Sequence, residues 1–332
     1  MKNVVAMVAP LAGTVLLAAA CGTGSTAGTL APSHGAHSAG GSPSAAGHGI
    51  LLVKPAGVGK SPEIVLWRPG SPARALAEGG GCEESGYDDH CVPMSDGYWS
   101  PDGRSIAFER DAAEGLAPPF PGIVVMRSNG TREETLPDKT GDWDGATFGP
   151  PSWSPDGRRV VYEQQLDSWE TGASLLNFVV VDVRSGQVRT VSASGSDPVW
   201  GTPGIAYFTA SGITLLNPAT GYARLVTRGF KRGTLAWSPG GVLAVGGPRQ
   251  VVLLAASGSV LGELPIPAAA IGSVCGVAWA PDGKQILVSS TKNGTTLGGL
   301  WVVTVSTKRW ERISPMPAFW RKTKFRCAVS WR

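Results

Sequence analysis

Residues able to do chemistry are few, and they cluster. Beyond residue 48 there is a single histidine, His90, so a Ser-His-Asp arrangement would have to use it. No Gly-x-Ser-x-Gly elbow occurs. Gly57-Val58-Gly59-Lys60-Ser61 imitates the end of a phosphate loop, but the first glycine of that pattern would fall on Lys54 and no helical pattern follows, so the segment reads as a turn. There is no His-Glu-x-x-His and no second cysteine pair of the kind zinc requires. Carboxylates remain. Asp88, Asp89 and His90 lie between Cys82 and Cys91, and Asp142 and Asp144 follow in a later loop. Such a set suits a hard cation, calcium above all, or carboxylate catalysis on a glycan. Its spacing is not that of an EF-hand loop, and a solvated acidic loop has the same composition.

The five cysteines divide by position. Cys21 follows Leu16-Leu17-Ala18-Ala19-Ala20, at the end of an apolar stretch from Val4 that is preceded by Lys2 and broken by Pro10 and Gly13. Small residues after a short apolar run mark export, and a cysteine directly behind them resembles the bacterial lipobox, in which that cysteine is acylated with fatty acid such as palmitate. Leu17 stands four residues before Cys21 where the lipobox has leucine at three; the other reading is a plain signal peptide cut nearby. The stretch is too short and too interrupted for a membrane span. Residues 1–21 are thus read as signal peptide and lipobox. Residues 22–48, almost entirely Gly, Ser, Ala, Thr, Pro and His, are read as a flexible tether that cannot bury a core. Its His34, His37 and His48 suit either a loose metal site or plain solvation. An exported chain meets an oxidising compartment. Cys82 and Cys91 bracket one loop and are expected to pair; Cys275 and Cys327, each four residues before a tryptophan, are either a second disulfide or two buried thiols.

That tryptophan belongs to a repeated phrase. Trp99-Ser100-Pro101-Asp102-Gly103, Trp153-Ser154-Pro155-Asp156-Gly157, Trp237-Ser238-Pro239-Gly240-Gly241 and Trp279-Ala280-Pro281-Asp282-Gly283 each precede a short apolar run, and Trp200-Gly201-Thr202-Pro203-Gly204 and Ser330-Trp331 are degenerate copies. Successive tryptophans lie 54, 47, 37, 42 and 52 residues apart, a blade-like period with several strands per unit. Proline presets the first central position of a β-turn and Asp-Gly closes it, while one tryptophan per unit suits packing between blades. The phrase resembles the WD-like propeller repeats of the TolB family of the Tol-Pal system, over residues 49–332. The resemblance implies an all-β propeller. It is weak for function, because such repeats serve binding proteins and accompany peptidases alike. Residues 22–48 stand where TolB has a separate N-terminal domain, so no Tol-Pal role is carried over. Ser-Pro-Asp-Gly also lacks the Thr-Trp end of sialidase boxes.

Laid out on this phrase, the chain gives six blades. Strands are predicted at 96–99, 104–110, 122–127 and 131–136; at 158–164, 176–183 and 187–192; at 204–209, 212–216 and 222–227; at 242–246, 249–255 and 259–264; and at 284–290, 299–305 and 309–313. Three strands within 49–78 lack an inner partner, and 325–331 lacks a successor. Together they make one blade, a three-plus-one closure that joins the chain ends and removes open edges.

The links between these strands are unequal. Long segments at 79–96, 111–121, 137–150, 165–175, 291–298 and 314–324 all emerge on one side, and the Ser-Pro-Asp-Gly turns on the other. Binding usually lives in such loops on a rigid scaffold. Asp88, Asp89, Trp143, Trp169, Arg228, Lys231, Arg232, Trp320, Arg321, Lys322 and Lys324 are the candidate ligand face, acidic in blades one to three and basic in blades four and six. The net charge of +4 comes with no basic stripe, which argues against nucleic acid. The expectation is a monomeric, exported binding lipoprotein, anchored by lipid to the outer face of the cytoplasmic membrane and taking an envelope protein or cell-wall glycan, with no cofactor unless calcium binds. The alternative is a metal-assisted hydrolase or lyase acting on a glycan.

Overall fold

Each Trp-Ser-Pro-Asp-Gly phrase folds as a tight turn wired by its own side chains. In the second blade Gly103 N–H donates to Ser100 O at 2.8 Å, and Ser100 N–H to Ser105 O at 2.9 Å. The Ser100 hydroxyl accepts from Ser105 N–H at 3.0 Å and donates to Asp102 Oδ1 at 2.6 Å, which also accepts from Arg104 N–H at 3.0 Å. The third blade repeats this with Ser154, Asp156, Arg158 and Arg159 at 2.5–3.1 Å. Buried serine and exposed aspartate thus satisfy the donors that a sharp reversal leaves over. The closing glycines hold φ of +64° at Gly103 and +67° at Gly157, where an L side chain is strained.

The structure is a computed structural model. It describes residues 49–54, 62–78, 82–85, 88–91, 97–110, 122–138, 145–168, 170–191, 194–268, 272–292, 296–319 and 329–332, with backbone alone at 82–85, 88–91, 145, 292, 296 and 297. The chain separates into Met1–Ser42 and Pro43–Arg332, and every described residue lies in the second unit. No helix among them is long and apolar enough to cross a membrane.

The strands run in blade order. The first blade holds β1 (Ile50–Lys54), β2 (Glu63–Trp67) and β3 (Arg74–Glu78), followed by a hairpin of β4 (Cys82–Ser85) and β5 (Asp88–Cys91). The second holds β6 (Tyr98–Trp99), β7 (Ser105–Arg110), β8 (Gly122–Arg127) and β9 (Glu134–Thr135); the third β10 (Gly145–Phe148), β11 (Ser152–Trp153), β12 (Arg159–Asp167), β13 (Ser174–Asp182) and β14 (Val188–Val191). Then come β15 (Ser196–Gly201), β16 (Gly204–Thr209), β17 (Gly212–Leu216) and β18 (Ala223–Thr227); β19 (Thr234–Trp237), β20 (Leu243–Gly246), β21 (Gln250–Leu254) and β22 (Val260–Pro265); and β23 (Ser273–Trp279), β24 (Gln285–Lys292), β25 (Thr296–Thr304) and β26 (Arg309–Arg312). The last strand, β27 (Ser330–Trp331), pairs antiparallel with β1, Ile50 opposite Trp331, giving the sheet order β27-β1-β2-β3. The inner strands touch in the circle β6, β11, β15, β19, β23, β27 and back to β6. The chain is a six-bladed β-propeller with the three-plus-one closure expected from the sequence.

Both faces of every blade are apolar, so the core is six interfaces rather than one centre. Leu51 and Ile64 of the first blade pack on Ile106 and Phe108 of the second. At the closure Ile50, Leu52 and Val65 meet Leu287, Leu300 and Val302 of the sixth, with Trp331 among them. Fully burying one such side chain contributes about 1.5–3 kcal/mol. The repeated tryptophans do pack here, and they also bond. Trp153 Nε1–H donates to Tyr98 O at 3.0 Å, Trp237 Nε1–H to Val199 O at 3.2 Å and Trp279 Nε1–H to Ala236 O at 3.1 Å. In each case the acceptor is the carbonyl just before the preceding blade's tryptophan. Two serines that precede a tryptophan add a second tie, Ser330 Oγ accepting from Trp99 N–H at 3.1 Å and Ser152 Oγ from Trp200 N–H at 2.9 Å.

Replacing Trp279 by phenylalanine keeps a ring at the interface and removes the indole N–H that Ala236 O accepts. Unfolding in urea is expected to show a loss of about 1–2 kcal/mol, against a smaller loss for Trp310→Phe on the outer strand β26; equal losses contradict the interblade bond.

Candidate functional site

The six inner strands enclose a channel of about 580 Å³ along the ring axis. Its wall is mostly backbone, proline, serine and the roots of the tryptophans, so the charged groups at its two ends dominate its electrostatics. At the turn side stands Arg332, whose Nη1 donates to Pro101 O at 2.8 Å and Ser100 O at 3.4 Å. A Cβ on Gly103 would lie 1.9 Å from Arg332 Nε, so glycine there admits both the turn and the guanidinium.

At the other end stands Asp197. The register slips between Ser196 and Val199, a bulge that sets Asp197 apart from the ladder at φ +55°. Bulges re-aim side chains, and aspartate is among the few residues that tolerate this backbone. The Ser196 hydroxyl donates to Asp197 Oδ2 at 2.9 Å, and Asp197 N–H donates to Glu163 Oε2 at 3.3 Å. Burial, first, and the Asp197 charge, further, push the Glu163 carboxyl above its ordinary range, against the pull of that backbone N–H. The long-loop mouth is therefore acidic, and the turn-side mouth cationic.

Two blades rise above the rest on the long-loop side. β12 and β13 have 9 residues each, and β24 and β25 have 8 and 9, against 6 and 5 for β16 and β17. Each begins or ends at the short turns, so the excess projects on the opposite side, where β10 adds to β12 with Phe148 opposite Gln164. Blades three and six face each other across a six-membered ring, which sets the acidic mouth between two walls. Much of what the sequence suggested as loop at 165–175 and 291–298 is thus strand: Gln165, Leu166 and Asp167 pair with Leu176, Leu175 and Ser174, and Thr291 and Lys292 with Leu297 and Thr296.

The predicted residues are distributed as follows. Arg228, Lys231 and Arg232 are exposed in the link between β18 and β19 on the long-loop side, and no carboxylate among the described residues pairs with them. Asp88 and Asp89 lie on β5, in register with Ser85 and Glu84; Cys82 stands opposite Cys91. Cys275, on β23, lines the channel and has its Sγ 3.6 Å from Ser289 Oγ. Cys21, Trp143, Trp169, Trp320, Arg321, Lys322, Lys324 and Cys327, with Asp142 and Asp144, lie outside the described residues. Among the described residues no three of His, Cys, Asp and Glu gather closely enough for a metal ion. Glu163, Asp197 and Arg332 are groups that the sequence reading passed over. A signal for one existed, since two repeats run on to glutamate at the same place, Glu109 and Glu163.

No protein-family model matches the chain, and no curated protein matches it. Solved structures do. TolB from Acinetobacter baumannii superposes with a TM-score of 0.58 at 15% identity, covering 86% of this chain and 66% of that one, so the likeness spans about two thirds of TolB. A chain of a nidogen/laminin complex gives 0.55 at 10% identity over 86% of this chain and 98% of its own. Oligogalacturonate lyase in complex with manganese gives 0.50 at 12% identity, over 79% and 74%. At these identities the likeness establishes the propeller fold.

A carboxyl whose folded-state pKa is raised opposes folding once charged. The opposition is absent below the ordinary glutamate value of ~4.3 and grows as pH rises through the folded value. Glu163→Gln is expected to raise the unfolding free energy from urea titration at pH 7 by under about 1 kcal/mol and to flatten stability against pH above 4; an unchanged slope contradicts the assignment.

Proposed function

We propose that this protein is a non-catalytic lipoprotein of the cell envelope that docks a ligand, an envelope protein or a cell-wall glycan, on the long-loop face of its propeller. In this reading Cys21 holds the acyl anchor at the outer face of the cytoplasmic membrane and residues 22–48 are the tether. Cys82 with Cys91, and Cys275 with Cys327, are the disulfides. Opposed positions on an antiparallel hairpin lie within the Cα separation that a disulfide needs.

The observation that carries the reading is the one-sidedness of the ring. One face is a set of closed turns whose polar groups bond internally, Ser100 and Ser154 among them. The other presents two projecting walls, an acidic channel mouth and the cations Arg228, Lys231 and Arg232, with which no carboxylate among the described residues pairs. Charge of both signs on one rim orients a partner of complementary pattern. The nidogen/laminin likeness supports the reading to the extent that its propeller belongs to a protein–protein complex.

The test is face-specific capture from detergent-solubilised envelope with the full chain as bait. Arg228→Glu, Lys231→Glu and Arg232→Glu together are expected to lose a component that wild type retains, about tenfold or more. Arg158→Glu, Arg184→Glu and Lys284→Glu, on the turn side, keep it. Loss from both variants, or from neither, contradicts the reading.

A further inference from the structure

The outer strands of blades four and five carry most of the exposed apolar side chains. Of the five large ones exposed among the described residues, Tyr222, Leu225, Val260 and Leu261 are there, with Tyr222 68%, Val260 60% and Leu261 58% exposed; the fifth, Leu175, lies on β13. Such a gathering at a surface marks contact with another protein or with a membrane.

Three of the four stand at the turn-side rim. Tyr222 ends the link from β17 to β18, and Val260 and Leu261 open β22 after the link from β21. Val260 lies opposite Leu254, and Arg224 opposite Leu215; Leu254 and Leu215 pack in one cluster, so Val260 and Arg224 line the seam between the two blades. Across that seam Arg224 Nη2 donates to Ala256 O. The rim itself is uncharged. Residues 202–203, 217–222, 238–242 and 255–259 include no Asp, Glu, Lys or Arg, whereas the turn-side links of the other blades hold Arg68, Arg104, Arg158 and Lys284. Cations flank it. Arg189 on β14 lies opposite Val180, which packs on blade four, and Lys308 is in the outer link of blade six. Both are exposed, and no carboxylate among the described residues pairs with either.

The backbone distinguishes the two kinds of partner. Asn217 N–H donates to Tyr222 O at 2.8 Å, its carbonyl accepts from Gly221 N–H at 2.9 Å, and its Oδ1 accepts from Ala219 and Thr220 N–H at 2.9 and 3.2 Å. In the next blade Ala255 N–H donates to Ser259 O, and Gly258 N–H to Ala255 O, both at 2.9 Å. Links bonded within themselves offer a protein little to bond, and a lipid surface requires that condition. Gly49 and Arg332 stand where the other blades have their inner turn, Arg332 N–H donating to Gly49 O at 2.9 Å. The chain from Cys21 therefore joins the ring on the same side as this rim.

We propose that the turn-side rim of blades four and five rests in the interfacial layer of the membrane that the acyl anchor enters. Val260 and Leu261 meet the acyl boundary, Tyr222 lies at headgroup level, and Arg189 and Lys308 face anionic headgroups. The proposal rests on the lipoprotein reading above and adds the orientation of the ring. The contact takes the outer links of two adjacent blades. It leaves the inner turns with Asp102, Asp156 and Asp282 clear of lipid and turns the long-loop face away from it.

The test is ¹⁹F NMR of the full chain labelled with 3-fluorotyrosine, in bicelles of phosphatidylcholine and phosphatidylglycerol, with Tyr222→Phe assigning one of the five lines. A nitroxide on the lipid acyl chain is expected to erase the Tyr222 line and to spare Tyr98 and Tyr162, in blades two and three. Val260→Ser with Leu261→Ser, both exposed changes, is expected to bring the line back, and Lys308→Glu to bring it back in part; Leu175→Ser leaves it erased. Cys21→Ser separates this proposal from the anchor. Erasure in that variant as in wild type supports the rim contact by itself. A wild-type chain that holds to the bicelles through Cys21 yet keeps its Tyr222 line overturns the rim contact and leaves the anchor standing. A wild-type chain that does not associate with the bicelles overturns both. A Tyr222 line that is broad without the nitroxide and sharpens on dilution assigns the rim to a second copy of the chain and also overturns the proposal.

Discussion

A four-stranded sheet that is apolar on both faces cannot stand alone in water. Each blade needs a neighbour on either side, and only a closed circle supplies one to all six. The pairing of β27 with β1 is therefore the contact on which the rest depends, because it covers Ile50 and Leu52 on one side of the seam and Leu287 and Leu300 on the other. The indole bonds reinforce that geometry from blade to blade. A tryptophan whose Nε1–H must reach a carbonyl of the preceding inner strand fixes the angle between two sheets as well as their distance, something that burial, being non-directional, does not do.

The same wiring explains why one face is plain. Where Ser100 and Asp102 accept from Ser105 and Arg104 N–H, and Ser154 and Asp156 from Arg159 and Arg158 N–H, that polar capacity is spent within the turn. The Ser100 hydroxyl, chief among the causes, holds the Asp102 carboxyl below its usual range, and the Ser154 hydroxyl does the same for Asp156; these carboxylates are committed to structure. On the far side strands lengthen in blades three and six, a bulge turns Asp197 out of its ladder, and Arg228, Lys231 and Arg232 stand exposed with no carboxylate partner among the described residues. The asymmetry follows from how the two kinds of connection are satisfied.

The fold was legible because its signals repeat. Six tryptophans near one period, with Pro-Asp-Gly or Pro-Gly-Gly closing each good copy, specify turn, strand order and blade number together, and the predicted strands match the observed ones to within a few residues outside blades three and six. The site was less legible, since its groups do not repeat. Asp197 acts through a bulge that no local pattern announces, and Arg332 through a reach to the neighbouring blade's turn at Pro101 O. The indole bonds were missed for another reason: periodicity points to a large apolar ring, and only the choice of tryptophan over phenylalanine hints that a donor is needed.

Carboxylate footprinting of the full chain, in the cells that make it and again after purification, tests the division of the ring into a structural and a working face. Asp138, Asp167, Glu170 and Asp197 on the long-loop side are expected to be labelled less in place than in isolation, with Asp102, Asp156 and Asp282 in the turns labelled equally in both. Protection centred on the turn side, or identical labelling throughout, would contradict the account.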